Sequence, residues 1–251
     1  MLKINNLTVS VNGKIILKDF NLYIKKGEIH TLMGLNGSGK STICKVLMGE
    51  PTYKVECGTI FYKNIDLLKL DTTERSKLGI FLVSQNPIEI PGVKNSEMLK
   101  LALESKTGKH VSVFEFSKLM NNICDKLKID KSFIHRNINE GMSGGEKKKN
   151  ELMHLWVLEP DLILLDEIDS GVDIDNLNII SNSLKEYFDN NECSILIITH
   201  HTNILKGLIP DYVHVLNAGK IEETGDYNLA FDIENNGYNR TNNVRKNEYY
   251  E

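Results

Sequence analysis

The sequence predicts an α/β fold in which a parallel sheet carries helices on both faces. Short apolar runs rich in β-branched residues alternate with longer segments of helical periodicity, and a glycine-rich turn joins one apolar run to a helical segment. The chain has 251 residues, of which 41% are hydrophobic, so it can bury a core without disulfides or metal ions. One large domain or two small ones fit this length.

The predicted strands are short apolar runs bounded by turn residues. They cover residues 4–11, 28–33, 59–62, 80–84, 162–166, 194–199, 212–216 and 220–223. From about residue 94 onward the periodicity becomes helical, so we expect a helical subdomain at about 91–158, inserted in the α/β core. Pro91 precedes this stretch and Pro160 follows it, and each is suited to ending a helix or starting a connection.

Charge and hydropathy exclude two classes of partner. The 30 basic and 34 acidic side chains give a net charge of −4, without the basic excess that drives non-specific nucleic-acid binding. We therefore expect no nucleic acid as a main partner. No window approaches the roughly 18 to 20 continuous apolar residues that cross a bilayer, so we also expect no direct membrane insertion.

The cysteines and the polar C-terminal segment complete the compositional picture. Cys44, Cys57, Cys124 and Cys193 are separated by 13, 67 and 69 positions, which matches no zinc or iron-sulfur ligand spacing. We interpret them as reduced thiols in a reducing compartment. Lysine far outnumbers arginine and asparagine is abundant, which is typical of an AT-rich genome, and the polar tail 236–251 is expected to be disordered.

A glycine-rich loop lies between a predicted strand and a predicted helix at 42–48. Residues 34–41, the phosphate loop, fit the pattern G-x-x-x-x-G-K-S/T. Such a loop curls its backbone N–H groups around phosphate oxygens, and here the contacts would come from Gly34, Asn36, Gly37, Ser38, Gly39 and Thr42. Lys40 would place its charge between the β and γ phosphates, and the Ser41 hydroxyl would ligate Mg²⁺. The motif predicts a nucleoside triphosphate site.

Two consecutive carboxylates end a second apolar run. Residues 162–165 are apolar, and Asp166 and Glu167 follow them. Because ligands bind at the carboxyl edge of a parallel sheet, these carboxylates should lie near the phosphate loop rather than form an ordinary solvated strand end. We expect Asp166 to hold Mg²⁺ through water and Glu167 to polarise the water that attacks the γ-phosphate.

A third motif, residues 142–146, precedes a predicted helix at 146–158 and is called the signature segment below. Its Ser-Gly-Gly core could form a second anion site at the helix N-terminus. Taken alone, it fits an ordinary serine cap equally well, and the three lysines that follow fit a solvated face. We also consider that these lysines pair with Glu167 in the resting state.

The order of these motifs resembles that of an ATP-binding-cassette (ABC) ATPase over about residues 1–235. The resemblance rests on the phosphate loop, Gln85, the signature segment, Asp166-Glu167, the segment 170–173 and His200. It implies a single ABC nucleotide-binding domain, in which a phosphate-loop NTPase core carries an antiparallel β subdomain and a helical subdomain. It also implies ATP and Mg²⁺ as ligands, with hydrolysis as the reaction.

In that family two chains sandwich two ATP molecules, so the resemblance implies ATP-dependent self-association and weak activity in an isolated chain. Ser143 and Gly145 would contact the γ-phosphate held by the other copy, and Asp173 would bridge the two copies. Gln85 would couple metal and water to the helical subdomain, and His200 would orient the γ-phosphate. The position of His200 after the strand 194–199 places it at the same sheet edge as the two carboxylates.

The sequence departs from the family pattern at two places, of which the first concerns base recognition and the second fits one branch of the family better than the rest. Val11 stands where an aromatic residue usually stacks on adenine, and Met142 and Glu146 replace the outer residues of the signature segment. The stretches that resemble the SufC branch, which serves the SUF system of iron-sulfur cluster assembly, are 89–93, 143–150, 166–175 and 210–216. This resemblance implies SufB and SufD scaffold subunits as partners, attached through the segment 87–101.

Three functions remain open at this point. The first is an ATPase that deforms the SufB/SufD scaffold, located in a plastid stroma such as that of an apicoplast or, alternatively, in a bacterial cytoplasm. The second is the nucleotide-binding subunit of an ABC membrane transporter, since the motor is the same and only the partner surface differs. The third is a binding switch with negligible turnover, against which the position of Glu167 argues.

Overall fold

The computed structural model describes residues 1–238, within which the chain forms twelve strands and seven α-helices. The strands are β1 (Leu2–Val11), β2 (Lys14–Ile24), β3 (Ile29–Met33), β4 (Lys54–Tyr62), β5 (Ile65–Asp66), β6 (Ile80–Val83), β7 (Ile90–Lys94), β8 (Asn137–Ile138), β9 (Leu162–Asp166), β10 (Ser194–Ile198), β11 (Tyr212–Asn217) and β12 (Lys220–Gly225). The helices are α1 (Lys40–Met48), α2 (Thr72–Lys77), α3 (Asn95–Thr107), α4 (Val113–Leu127), α5 (Gly144–Leu158), α6 (Ile174–Asn190) and α7 (Tyr227–Asn236).

A six-stranded sheet with the order β12-β11-β3-β10-β9-β6 forms the centre of the fold. Its strands are parallel except β12, which pairs antiparallel with β11 at one edge. Strands β3, β9 and β10 are buried along their whole length. Alternate residues of β9 enter different cores: Ile163 faces one and Leu164 faces the other. This double burial explains why these strands are continuous apolar runs, and the predicted parallel sheet is confirmed.

A second sheet is antiparallel, with the order β2-β1-β4-β5. Strand β2 is absent from the sequence prediction, because its apolar residues do not alternate regularly. Register shifts interrupt its pairing with β1, and Asp19 has a left-handed backbone with φ 52°. Strand β4 begins at Lys54 instead of residue 59, since a shift in register beside Gly58 hides the earlier part of the strand from period-2 analysis.

Helices α3, α4 and α5 lie between β6 and β9 in the sequence, and both α3 and α4 pack against α5. A buried polar cluster joins α3 to α5: His154 Nε2 lies 2.7 Å from Asn95 Oδ1, and Asn150 Nδ2 lies 2.9 Å from Asn139 Oδ1. Pro91 lies within β7 and not in a connection as predicted. The short β7–β8 pair tolerates it because only Ile90 and Lys94 have partners there.

The C-terminal part of the described chain returns to the phosphate loop. Helix α7 ends at Asn236, one residue into the predicted tail, and the Gly34 N–H donates to the Tyr238 hydroxyl at 3.0 Å. The remainder of the predicted tail, residues 239–251, lies outside the described residues. Within residues 1–238, no helix combines the length and the apolar character that a membrane crossing requires.

Candidate nucleotide-binding site

The phosphate loop connects the end of β3 to the start of α1. Gly37 and Gly39 have left-handed backbones with φ 79° and 106°, which residues with a side chain rarely adopt. A Cβ on Gly39 would lie 2.9 Å from Leu17 Cδ2, so a larger residue would displace the β2 side chain that packs against the loop. A Cβ on Gly34 would lie 2.3 Å from the Leu216 carbonyl oxygen. The glycines are therefore required by geometry at both ends of the loop.

Lys40 is buried, with 4% of its surface exposed, and its ammonium lies inside the loop. Its Nζ donates to the carbonyl oxygens of Gly34 at 2.8 Å and Leu35 at 3.1 Å. Burial lowers the pKa of Lys40, and Glu167 and Asp166 oppose that shift. The neighbouring Ser38 hydroxyl is buried without a hydrogen-bond partner in the described part of the chain. A buried cation and an orphaned donor in one loop are suited to phosphate oxygens.

Ser41 and Asp166 meet at the sheet edge, although 125 positions separate them in the sequence. The Ser41 hydroxyl donates to Asp166 Oδ1 at 2.7 Å. Burial raises the pKa of Asp166, and the Ser41 hydrogen bond opposes the shift. A hydroxyl and a carboxylate are hard oxygen donors of the kind that Mg²⁺ prefers, so this pair fits the predicted metal site.

Glu167 connects three strands of the sheet edge. Its backbone is left-handed with φ 46°, and its N–H donates to the Ile198 carbonyl at 2.9 Å. Gln85 Nε2 donates to Glu167 Oε2 at 2.6 Å, and His200 Nε2 lies 2.8 Å from Glu167 Oε1. The His200 contact has an ion-pair distance but lacks hydrogen-bond geometry. A strained backbone that aims a carboxylate between two polar side chains is typical of a functional site.

An open cleft lies over the phosphate loop. Of the predicted site residues, those lining it are Asn36, Gly37, Gly39, Lys40, Ser41, Thr42, Gln85 and Glu167, and the other lining residues are Val11, Ile16 and Tyr53. Sequence reasoning identified Val11 as the place of the missing aromatic residue but did not find Tyr53. The signal lay in the strand register, because Ser10 pairs with Lys54 and Tyr53 is therefore the next residue across from Val11.

The signature segment forms the N-terminus of α5. The Ser143 hydroxyl accepts from the Glu146 N–H at 3.3 Å, and Glu146 Oε2 accepts from the Ser143 N–H at 2.8 Å. This reciprocal cap lowers the pKa of Glu146 and explains how a carboxylate is accommodated there. Gly145 faces α6: a Cβ on it would lie 2.9 Å from Asn176 Nδ2, and Asn176 in turn donates its backbone N–H to Asp173.

The predicted site residues thus form two groups. Ser143 and Asp173 are exposed, Gly145 is buried against Asn176, and none of the three lines the cleft. The predicted pairing of the signature lysines with Glu167 is wrong: Lys148 Nζ instead donates to the backbone carbonyls of Ser84 and Gln85. The side chains that contact Glu167 are instead those of Gln85 and His200.

Comparisons with known proteins agree on one family. The sequence model described as "ABC transporter" matches residues 17–170. A protein named probable ATP-dependent transporter slr0075 from Synechocystis is 46% identical over 95% of this chain and 94% of its own length. A probable ATP-dependent transporter ycf16 from Trieres chinensis is 46% identical, with 95% and 96% covered. The iron-sulfur cluster assembly protein SufC of Plasmodium falciparum is 44% identical over 96% of this chain and 71% of its own length.

Solved structures give the same fold. A dimeric post-hydrolysis state of the ATP-binding cassette MJ0796 with ADP and Pi superposes with a TM-score of 0.78 and 26% identity, covering 90% of this chain and 99% of that one. An ATP-binding subunit of an ABC transporter gives 0.77 at 20% identity, with 96% and 95% covered, and this likeness concerns the fold alone. The predicted fold class is confirmed.

Proposed function

The chain belongs to the ABC transporter family and is an ABC ATPase, and on that premise we propose that its turnover drives conformational change in the SufB/SufD scaffold during iron-sulfur cluster assembly. The observation that carries the proposal is the position of an exposed apolar segment directly after Gln85. Ile88 is 78% exposed and Ile90 is 43% exposed, while Gln85 itself touches Glu167. A partner that binds Ile88 would be three residues along the chain from Gln85, the side chain that holds the hydrolytic carboxylate.

The roles within one chain follow from the contacts around the cleft. Lys40 would bind the β and γ phosphates, and Ser41 and Asp166 would hold Mg²⁺. The bound metal would neutralise phosphate charge. Glu167 would accept a proton from the attacking water, with His200 beside it to donate to a γ-phosphate oxygen.

We further propose that two copies associate when ATP is bound. Ser143 and Asp173 are exposed and do not line the chain's own cleft, which is the arrangement expected of residues that complete another copy's site. The dimeric state of the MJ0796 cassette supports this arrangement. A tight dimer without nucleotide in sedimentation experiments would contradict it.

Tyr53 is proposed to bind the base, in place of the aromatic residue absent at Val11. The two lie opposite each other at the end of the β1–β4 ladder, and Ile16 completes an apolar group beside the loop. Ile16 Cγ2 would lie 3.4 Å from a Cβ on Gly39, so this group adjoins the phosphate loop directly. An aromatic face stacks on any base and contributes about 1–3 kcal/mol.

The organisation and location of the chain are also proposals. We propose a single ABC domain over 1–235 with a helical subdomain at about 91–158, supported by the packing of α3 and α4 against α5. We propose a plastid stroma as the compartment, with bacterial cytoplasm as the alternative. The lysine and asparagine bias and the SufC relative from Plasmodium falciparum support the first of these. Imaging of a tagged full-length protein in its source cell would test it.

The names of several relatives favour a second function, that of a transporter's nucleotide-binding subunit. The motor would be the same, so only the partner of the exposed segment distinguishes the two functions. SufB and SufD would bind that segment as soluble subunits, whereas a transporter would bring the chain to the membrane fraction.

The test is co-purification with SufB and SufD in the presence of ATP. Ile88→Asp should abolish the complex while leaving the basal ATPase intact, because it places a charge in the proposed apolar contact. Ile209→Asp is the matched control, since Ile209 is 61% exposed but belongs to the connection before β11. Absence of any complex with wild-type protein, or recovery of the chain with membranes, would refute the scaffold function and favour the transporter.

A further inference from the structure

Two side chains of helix α5 bind the backbone just before and at Gln85. Lys148 Nζ donates to the carbonyl oxygen of Ser84 and, at 2.6 Å, to that of Gln85. Glu151 Oε2 accepts from the Ser84 N–H at 3.0 Å, and its Oε1 accepts from the Ser84 hydroxyl at 3.1 Å. Because the two side chains are three positions apart, they lie on one face of the helix and together hold two consecutive residues.

We propose that Lys148 and Glu151 are positioning residues that set the geometry of Gln85 against Glu167, so that the position of α5 controls the hydrolytic carboxylate. This inference rests on the function proposed above for Glu167. It adds that the helix beginning at Ser143, whose N-terminus would meet the other copy's nucleotide, is tied mechanically to the chain's own hydrolytic group through Gln85.

Burying the ionisable groups of Lys148 and Glu151 costs free energy, which a role in packing alone would not explain. Lys148 is 2% exposed, and buried ions seldom stabilise a fold more than an apolar pair of the same volume would. Burial lowers the pKa of Lys148 and raises that of Glu151 to about 7, and each charge opposes the shift of the other. All four contacts are made to residues past the end of β6, where the sheet ladder no longer holds the chain.

The hydrogen bond from Gln85 to Glu167 is the last contact in the series that links α5 to the hydrolytic carboxylate. Gln85 Nε2 lies 2.6 Å from Glu167 Oε2, a short distance for a neutral donor and a carboxylate. A helix transmits a displacement along its length as a rigid element, so a shift at Ser143 reaches Lys148 less than two turns later. Movement of Ser84 and Gln85 would then lengthen or shorten the Gln85–Glu167 hydrogen bond.

The experiment is a set of double-mutant cycles measured by steady-state ATPase activity and by equilibrium ATP binding. Lys148→Met and Glu151→Gln should each lower kcat about tenfold with an unchanged Kd for ATP, because they misplace a group without touching the nucleotide. In a Gln85→Ala background the same substitutions should lower kcat no further, since the connection is already broken. Lys147→Met is the matched control: Lys147 is on the same helix but pairs with Glu89 at 2.7 Å.

Two further variants separate positioning from folding. Lys148→Arg retains charged donors and should restore most of the turnover, whereas a packing role would make the larger side chain as harmful as methionine. Ser84→Ala removes only the 3.1 Å hydroxyl contact, leaves both charges, and should lower kcat about threefold. This variant provides the measurement if Lys148→Met unfolds the protein.

The outcomes are distinguishable. Equal losses of kcat in the wild-type and Gln85→Ala backgrounds, or unchanged kcat in Lys148→Met, Glu151→Gln and Ser84→Ala alike, would overturn the positioning role. Unchanged turnover in Glu167→Gln would instead remove the hydrolytic role assigned to that carboxylate. The cycles with Gln85 would still decide whether α5 acts through that residue, because their readout does not depend on which group takes the proton.

Discussion

Acid should destabilise the chain through His154, an imidazole enclosed within the helical part of the fold. The side chain is 8% exposed, and burial lowers its pKa to about 4. Its Nε2 lies 2.7 Å from Asn95 Oδ1, an oxygen that only accepts, so the neutral ring donates from Nε2. The ring is held in its neutral form by its surroundings, and protonation would place an uncompensated charge between α3 and α5.

The direction and the size of the acid destabilisation follow from the lowered pKa of His154. A histidine whose folded pKa lies below its unfolded value of about 6.5 gives its full stabilisation above that value and loses it as the pH falls toward the folded pKa. With a folded pKa of about 4, each pH unit below 6.5 costs about 1.4 kcal/mol, so the loss by pH 5 is about 2 kcal/mol. Because the His154 side chain is buried, this free energy needs no large correction for solvent screening.

The assay is urea unfolding of wild type and His154→Gln at pH 7.5, 6.5, 5.5 and 5. Glutamine cannot gain a proton in this range, so the variant's free energy of unfolding should approach that of wild type by about 2 kcal/mol between pH 7.5 and pH 5. His214 and Glu151, whose pKa values are shifted to about 3 and about 7, titrate in both proteins and cancel in the difference. His135→Gln, at an exposed position, is the matched histidine-to-glutamine control. A difference in the free energy of unfolding between wild type and His154→Gln that does not change with pH would refute the reasoning.

The remaining predictions concern the cleft. Glu167→Gln should lower turnover by about a hundredfold or more while ATP still binds, which single-turnover hydrolysis and equilibrium binding would show; turnover at the wild-type rate would exclude the proton-accepting role. Tyr53→Ala should weaken ATP binding about tenfold and leave tripolyphosphate binding unchanged, whereas Tyr53→Phe should bind ATP as wild type does. Lys40→Ala should weaken both ligands alike, as titration calorimetry can compare; a loss confined to ATP would argue against its phosphate contact.

Much of the phosphate and metal site could be predicted, because its residues belong to short sequence motifs at the ends of buried strands. The phosphate loop, Ser41 and Asp166 lie at the ends of fully buried parallel strands, and such strands are visible as apolar runs that stop at polar residues. The carboxyl ends of parallel strands meet at one edge, so two motifs 125 positions apart could be expected to touch, and the Ser41–Asp166 hydrogen bond shows that they do.

The rest depends on pairing and packing that a single sequence does not contain. Tyr53 becomes part of the cleft only through the register of β4 on β1, and the strand start at Lys54 was itself missed. From the sequence, the lysines after the signature segment were expected to form ion pairs with Glu167. Lys148 instead binds the carbonyl oxygens of Ser84 and Gln85, which the fold places beside α5, and the Gln85 side chain donates to the carboxylate.

The contacts within the cleft bear on how nucleotide binding is coupled to movement. Lys40 is bound to the Gly34 carbonyl, Ser41 to Asp166, and Glu167 to Gln85, so these three groups already have partners in the chain, whereas the buried Ser38 hydroxyl has none among the described residues. At Lys40, Ser41 and Glu167, nucleotide binding is then an exchange of hydrogen bonds rather than a gain, so the net free energy at these groups is small relative to the contacts made. Replacing Glu167 by glutamine removes a negative charge from the γ-phosphate site and should therefore favour the nucleotide-bound, two-copy state. Accumulation of that dimer in size-exclusion chromatography with ATP, and its absence with ADP, is the expected result; a variant that remains monomeric with ATP would show that the second copy does not complete the site.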